Sequence, residues 1–285
     1  MFLSKSFYFA LFTLSVPVMS NSQNNPVQSG CTAPTTQVIA HRGYWDTHGS
    51  AQNSLASLEK ADEIGAYGSE CDVYLCPDGE LMVFHDPHVN VNGTMREIER
   101  TPSTVLRQAV LANGETMPTF AAYLDKFKQC KQTKLIIELK AQKIDKRESE
   151  TLAAKIVEMV KRTGVEERVE YITFNRDAML KLIELDPEAK VAYLTGDLSP
   201  AEAKAVGCTG IDYSLDKMKQ NEHWFREARE AGLEINVWTV NKADDMRYLI
   251  GQGVDYITTD APELLQRILR NYPCNPNTNR KIRPI

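Results

Sequence analysis

Two short segments of the 285-residue chain carry charged residues at a spacing of two: Glu70-Cys71-Asp72, and Glu138-Leu139-Lys140. On a β-strand, side chains two apart point to the same face. A charged pair on the inner face of an apolar strand is costly unless each member meets a counter-charge or a metal ion. Glu70, Asp72 and Glu138 together offer hard oxygen ligands with no thiolate alongside, a donor set that suits Ca2+ or Mg2+ better than zinc. The ordinary alternative is that Glu70 and Asp72 point outward into surface salt bridges. It loses force because the alternation recurs at Glu138 and Lys140.

His41 and His85 add acid–base chemistry. An imidazole with an unperturbed pKa near ~6.5 can give or take a proton around neutrality. Arg42 stands directly after His41, and a guanidinium fork matches the oxygens of a phosphate. Taken together, these residue types fit attack on a phosphate ester beside a divalent cation. His48, His88 and His223 read as structural or surface residues.

Such residues are useful only if the fold brings them to one place. Short β-branched runs recur along the chain at 38–40, 70–75, 135–139, 169–173, 191–194, 210–213, 235–240 and 256–258, with longer helix-period segments between them. Eight such alternations predict an α/β fold, a (β/α)8 TIM barrel, and the residue count fits one barrel of ~250 residues. His41, Asp72, Glu138 and Trp238 then fall at or near the C-terminal ends of strands, where barrel enzymes keep their active sites. Leu55, Leu58 and Ile64, and likewise Leu152, Ile156, Met159 and Val160, form helical stripes that would cover the barrel's outside. The run 81–84 reads as an extra strand, paired with the Cys71 strand through Pro77-Asp78-Gly79. Residues 86–117 are too long for a plain loop and predict a small helical excursion between the second and third barrel strands.

The ends of the chain read differently. Lys5, an apolar run from Phe7 to Val18 and a polar stretch from Asn21 outline a secretory signal peptide over 1–20, too short to span a membrane. A lead-in over 21–36, a barrel domain over 37–272 and a proline-containing tail over 273–285 complete the expected organisation. The expectation is therefore an exported protein, periplasmic or secreted, without a transmembrane segment in its mature form.

Formal charge is −5, and −6 once the single leader lysine is removed, which argues against a nucleic-acid partner. The lysine-bearing stretches 126–134 and 140–146 read as solvated helix faces. Six cysteines permit disulfides in an exported protein, but their spacing matches no metal site and does not fix a pairing. Cys71 faces away from the flanking carboxylates on a strand and is expected as a small buried hydrophobe.

The ordered series His41-Arg42-Gly43, Gln52-Asn53-Ser54, Glu70-Cys71-Asp72-Val73, Val83-Phe84-His85-Asp86-Pro87, Ile137-Glu138-Leu139-Lys140, Val237-Trp238-Thr239-Val240-Asn241 and Gly253 to Asp260 resembles the motifs of the glycerophosphodiester phosphodiesterase family. The resemblance runs from the first strand to the last. It implies a divalent cation on Glu70, Asp72 and Glu138, acid–base catalysis by His41 and His85, and a phosphate held by Arg42 and Lys140. Trp238 would line the pocket for a small glycerophosphodiester substrate. Two departures stand out: Ala51-Gln52-Asn53-Ser54 replaces the usual Pro-Glu-Asn-Thr, and Asn90 to Thr94 replaces an Arg-Thr-Thr run. Asn53 could be simply a helix N-cap.

Charges agree with this assembly. Three carboxylates and a phosphodiester carry about −4, and a divalent ion, Arg42 and Lys140 about +4, so the loaded site is neutral. Three rivals share the same residues or fold. One is a lysophospholipase D or a cyclising lyase on the same site; another is a phosphodiester-binding module without turnover. An amidohydrolase barrel is disfavoured, since it needs a His-x-His pair where Arg42-Gly43 stands.

Overall fold

The computed structural model describes residues 34–141 and 145–273. The leader, nearly all of the lead-in and all but the first residue of the tail lie outside the described residues. Strand β1 (Gln37–Ala40) is followed by helix α1 (Leu55–Glu63) and by β2 (Gly68–Leu75). Next come β3 (Leu81–Val83), β4 (His88–Val91), β5 (Thr94–Glu97) and the single-turn α2 (Ser103–Leu106). From α3 (Phe120–Phe127) onward the alternation is regular: β6 (Lys134–Leu139), α4 (Lys146–Thr163), β7 (Val169–Thr173), α5 (Arg176–Leu185), β8 (Lys190–Tyr193) and α6 (Pro200–Ala205). The chain continues through β9 (Gly210–Ser214), α7 (Leu215–Gln220), α8 (Trp224–Glu230), β10 (Glu234–Trp238), α9 (Ala243–Gln252), β11 (Tyr256–Thr259) and α10 (Pro262–Arg270).

Eight of the strands, β1, β2, β6, β7, β8, β9, β10 and β11, pair in parallel, and β1 contacts both β11 and β2, so the sheet closes into a barrel. The predicted (β/α)8 architecture is therefore present. The extra strand is β3, antiparallel to β2, and Gly79 at φ 81° makes the turn between them. The excursion before the third barrel strand differs from expectation. It contains a β-hairpin, β4 with β5, as well as a short 3-10 turn and α2. The signal was in the sequence: Asn92 at φ 51° and Gly93 at φ 83° supply the left-handed pair of a tight hairpin turn.

Side chains alternate across the barrel wall. Cys71 and Val73 of β2 and Leu135, Ile137 and Leu139 of β6 face outward into the apolar layer shared with Phe120, Phe127, Leu152 and Ile156 of the helices. Cys71, Cys76, Cys130 and Cys208 are all buried and unpaired; Cys31 and Cys274 lie outside the described residues. Inside the barrel, Ile39, Ile136, Ile172 and Leu194 make an apolar band.

The N-terminal end of the barrel is closed by a polar plug. Glu170 accepts from Tyr67 Oη at 2.6 Å and Lys134 Nζ at 3.1 Å, while Lys190 donates to Glu234 at 2.8 Å and to Tyr256 Oη at 3.2 Å. Two lysines and two glutamates thus neutralise one another within the barrel mouth. This corrects the reading of Lys134 as part of a solvated helix face: it lies on β6, and strand alternation turns it inward. Lys134 keeps part of its side chain exposed, whereas Lys140, from the other lysine-bearing stretch, is buried.

Candidate active site

The opposite, C-terminal end of the barrel opens into a cavity of about 300 Å³, lined by His41, Arg42, Glu70, His85, Glu138, Lys140 and Trp238 among others. Register explains the acidic cluster. Asp72 on β2 lies opposite Glu138 on β6, and Glu70 is one inward position further back on β2. One carboxylate oxygen from each of Glu70, Asp72 and Glu138 can be chosen so that all lie within 4.8 Å of one another. All three residues are buried. Lys140, two residues after Glu138, places Nζ 2.9 Å from Glu138 Oε1 and 3.4 Å from Asp72 Oδ1.

Burial, together with repulsion from Asp72 and Glu138, raises Glu70 well above the carboxylate range. Burial would raise Asp72 too, but the Lys140 ammonium, His85 and the Asn53 amide outweigh it and hold it low. Burial and the neighbouring Asp72 push Glu138 up to about 8 against the pull of Lys140. Close acidic oxygens of this kind repel one another unless a cation lies between them. Glu70 Oε1 accepts no hydrogen bond at all. The donor set is all oxygen, the cluster is short of positive charge, and one oxygen is orphaned inside a polar cavity. These residues fit a hard divalent cation.

The turn after β1 is built around this cluster. Arg42 has φ 55° and Gly43 φ 77°, so the chain doubles back and the Arg42 main-chain N–H donates to Glu70 Oε2 at 2.7 Å. A Cβ at position 43 would lie 2.3 Å from Ser57 Oγ, which only glycine avoids. The Arg42 side chain donates from Nη1 to Gln52 Oε1 at 2.6 Å. Gln52 therefore still steers the guanidinium, and does so without adding the negative charge that the family's usual glutamate would bring. Asn53 is not the helix N-cap; Ser54 fills that position, accepting from Ser57 N. Asn53, at φ 59°, instead donates Nδ2 to Asp72 Oδ2 at 2.8 Å and accepts the Asp72 main-chain N–H at 3.1 Å.

Both histidines are oriented by acids that residue-type reasoning did not single out. His41 Nδ1 lies 2.7 Å from Asp260 Oδ1, just past β11. Asp260 also accepts from Trp45 Nε1 at 3.2 Å and from Asn241 Nδ2 at 2.7 Å. Burial would raise the Asp260 carboxyl, but the hydrogen bond and charge of His41, with help from Asn241 and Trp45, hold it at about 2. An ionised Asp260 only accepts, so Nδ1 of His41 carries the proton and Nε2 is the nitrogen left for chemistry. His85 repeats the arrangement with Asp86 Oδ1 at 2.7 Å, and its main-chain oxygen accepts from Tyr74 Oη at 3.0 Å. Burial holds His85 below the ordinary histidine range, against the opposing pull of Asp72. Asp86 and Asp260 stood inside the quoted motifs; Asp86 is the sequence neighbour of the ring it orients, whereas Asp260 lies 219 residues from His41 and only the closed barrel brings the two together.

The far wall is apolar and comes from β7, β8 and β10. Ile172, Phe174, Leu194 and Trp238 line it, with the Phe174 and Trp238 rings edge to face at 5.5 Å. All eight residues predicted for the site thus meet around one cavity: His41, Arg42, Glu70, His85, Glu138, Lys140 and Trp238 on its lining, and Asp72 immediately behind Lys140 and Arg42. Among the described residues, no helix is long and apolar enough to cross a membrane.

Comparison with known proteins agrees with this geometry. A glycerophosphodiester phosphodiesterase of Caldanaerobacter subterraneus is 30% identical over 248 residues, covering 82% of this chain and 98% of the relative. The crystal structure of a glycerophosphodiester phosphodiesterase from Parabacteroides distasonis superposes with a TM-score of 0.80 at 44% identity, covering 84% of this chain and 98% of the other. An Oleispira antarctica phosphodiesterase, solved with its product sn-glycerol-3-phosphate, gives a TM-score of 0.71 at 26% identity, covering 82% and 97%. The profile of the glycerophosphoryl diester phosphodiesterase family matches residues 41–264, from the first catalytic histidine candidate to the last helix, and the chain belongs to that family.

Proposed function

We propose that this protein hydrolyses glycerophosphodiesters to glycerol 3-phosphate and an alcohol, with His41 and His85 as the acid–base pair and Glu70, Asp72 and Glu138 as ligands of Ca2+ or Mg2+. The observation that carries the reading is the convergence of those carboxylates with Arg42, Lys140 and two Asp-oriented histidines on one small cavity. When bound, the divalent ion supplies positive charge against the phosphate and stabilises the charge that develops at phosphorus.

The chain's own groups do the rest. Arg42, steered by Gln52, presents its guanidinium to non-bridging oxygens. Lys140 lies with its ammonium between Asp72 and Glu138 and forms the second positive contact for the phosphate. Water adds across the P–O bond: one imidazole Nε2 takes its proton, and the other gives a proton to the departing alkoxide. The Asp260 and Asp86 carboxylates each accept from Nδ1, so Nε2 is the exchanging nitrogen on both rings, bare on the one that serves as base and protonated on the imidazolium that serves as acid. Ile172, Phe174, Leu194 and Trp238 form the apolar wall on the other side of the cavity.

The test is phosphorus NMR of the products formed from glycerophosphocholine and glycerophosphoethanolamine by the wild type, His41→Ala and His85→Ala. The expected result is glycerol 3-phosphate from the wild type and a kcat lower by ~10²–10⁴-fold in each variant, with the fold retained. Near-normal turnover by either variant would remove that histidine from the reaction, and accumulation of a cyclic phosphate would assign the protein a lyase reaction instead. Export rests on Lys5 and the apolar run to Val18. N-terminal sequencing of protein from a secreting host should find a start near Asn21, and an intact Met1 would oppose it.

A further inference from the structure

The half of the cavity away from the acidic cluster holds a carboxyl that the hydrolysis above does not use. Asp212, on β9, lines the cavity yet is only 1% exposed, and its Oδ1 has no hydrogen-bond partner. Its cross-strand neighbour on β10, Asn236, donates Nδ2 to Thr258 Oγ1 at 2.8 Å, and its own Oδ1 is also unpartnered. Of the other carboxylates there, Asp72 and Glu138 face Lys140, Asp260 faces His41, and Glu70 accepts from the Arg42 main-chain N–H and belongs to the candidate metal site. The lysines deeper in the barrel are engaged by Glu170 and Glu234. With the phosphate site neutral when loaded, an ionised Asp212 is an additional negative charge with no basic side chain set against it among the described ion pairs.

Two aromatic side chains share the cavity with it. Trp238 Nε1 donates to the Asp212 main-chain oxygen at 2.9 Å, which ties the indole to this stretch of β9, and Phe174 packs edge to face on that indole at 5.5 Å. A carboxylate that lines the same cavity as two aromatic side chains is suited to receive an organic cation. A neutral alcohol could hydrogen-bond to Asp212 but would leave its charge uncompensated. Burial pushes this carboxyl up to about 7, against a lowering contact from the Asn236 side chain, so its ionised form is held at a cost that an arriving cation relieves.

We propose that Asp212, with Phe174 and Trp238, selects glycerophosphodiesters whose alcohol carries an ammonium group, primary or quaternary, over those whose alcohol is neutral. The inference rests on the diesterase reading and assigns it a substrate class and a specificity-determining residue. It is tested by measuring kcat/KM for glycerophosphoethanolamine, glycerophosphocholine and glycerophosphoglycerol with the wild type and Asp212→Asn in the presence of Mg2+ or Ca2+. The wild type should favour both cationic diesters by ~10-fold or more, and Asp212→Asn should lower their kcat/KM at least ~10-fold more than that of glycerophosphoglycerol.

Asparagine keeps the shape and removes a buried, unmatched charge, so a thermal melt should show a folded variant. Asp212→Ser gives the same comparison with a smaller side chain should the asparagine variant not fold. Equal losses for the three diesters, or a wild type indifferent to alcohol charge, would overturn the inference while the diesterase reading stands. A wild type that turned over none of them would overturn both.

Discussion

Asn53 shows how much of the chemistry depends on residues that touch no substrate. It clamps Asp72 from two sides, through Oδ2 and through the main-chain N–H, at a left-handed backbone position that asparagine tolerates better than most residues. Asn53→Ala removes both contacts, and affinity for the divalent ion should fall by ~10–100-fold as measured by titration calorimetry; an unchanged affinity would show that Asp72 needs no such support. Asp260 plays the matching part for His41. Asp260→Asn keeps the shape but lets Nδ1 become the acceptor, which favours the tautomer with its proton on Nε2. A fall in kcat of ~10²–10⁴-fold is expected, with little change in KM. A rise in KM alone would make Asp260 a substrate contact instead.

At the scale of elements, the site is held by turns as much as by strands. The loop ahead of β6 is fixed by Asp62 at the end of α1, whose Oδ1 accepts the main-chain N–H groups of Lys131, Gln132 and Thr133 at 3.0, 2.7 and 2.9 Å. That loop sets where β6, and with it Glu138, begins. Burial would raise the Asp62 carboxyl, but these three donors hold it below its ordinary value. A carboxylate lowered in the folded state contributes stability in full above its unfolded pKa of ~3.9, and loses it as pH falls through the lower folded value. Asp62→Ala should cost ~1–3 kcal/mol in a urea melt at pH 7. The difference between variant and wild type should shrink only below about pH 4, and a constant difference down to pH 2 would show that the charge is not what matters.

The strands and the inward alternation of Glu70 with Asp72 and of Glu138 with Lys140 were legible in the sequence, because a period of two survives any change of context. Less legible were features set by distant neighbours. Asn53 and Ser54 are adjacent candidates for the same cap, and only the presence of Asp72 behind Asn53 separates their roles. The β4–β5 hairpin was hidden in a stretch whose length suggested helix, although Asn92-Gly93 carried the turn signal. Lys134 looked like its lysine-rich surroundings until strand register turned it toward Glu170.

Over the whole molecule, the barrel has one closed end and one reactive end. The Glu170 plug is balanced, and Glu170→Ala would leave Lys134 and Lys190 facing each other across a half-buried space. Because both lysines keep partial access to water, the expected loss is ~1–3 kcal/mol, seen in denaturant melts, with kcat nearly unchanged. A large loss of turnover with normal stability would mean that the plug is coupled to the active site. The reactive end gathers oxygen ligands from β2 and β6, imidazoles held from β3 and β11, and a guanidinium from the turn after β1, so its competence depends on the entire cylinder closing.

Titration of Ca2+ or Mg2+ into metal-free wild type and Glu138→Gln, with diesterase activity followed on the same samples, bears most directly on this account. One ion should bind the wild type per chain, activity should rise in step with occupancy, and Glu138→Gln should bind at least ~10-fold more weakly. Equal binding by the two proteins, or full activity in the presence of chelator, would contradict the assignment of Glu70, Asp72 and Glu138 as the metal site.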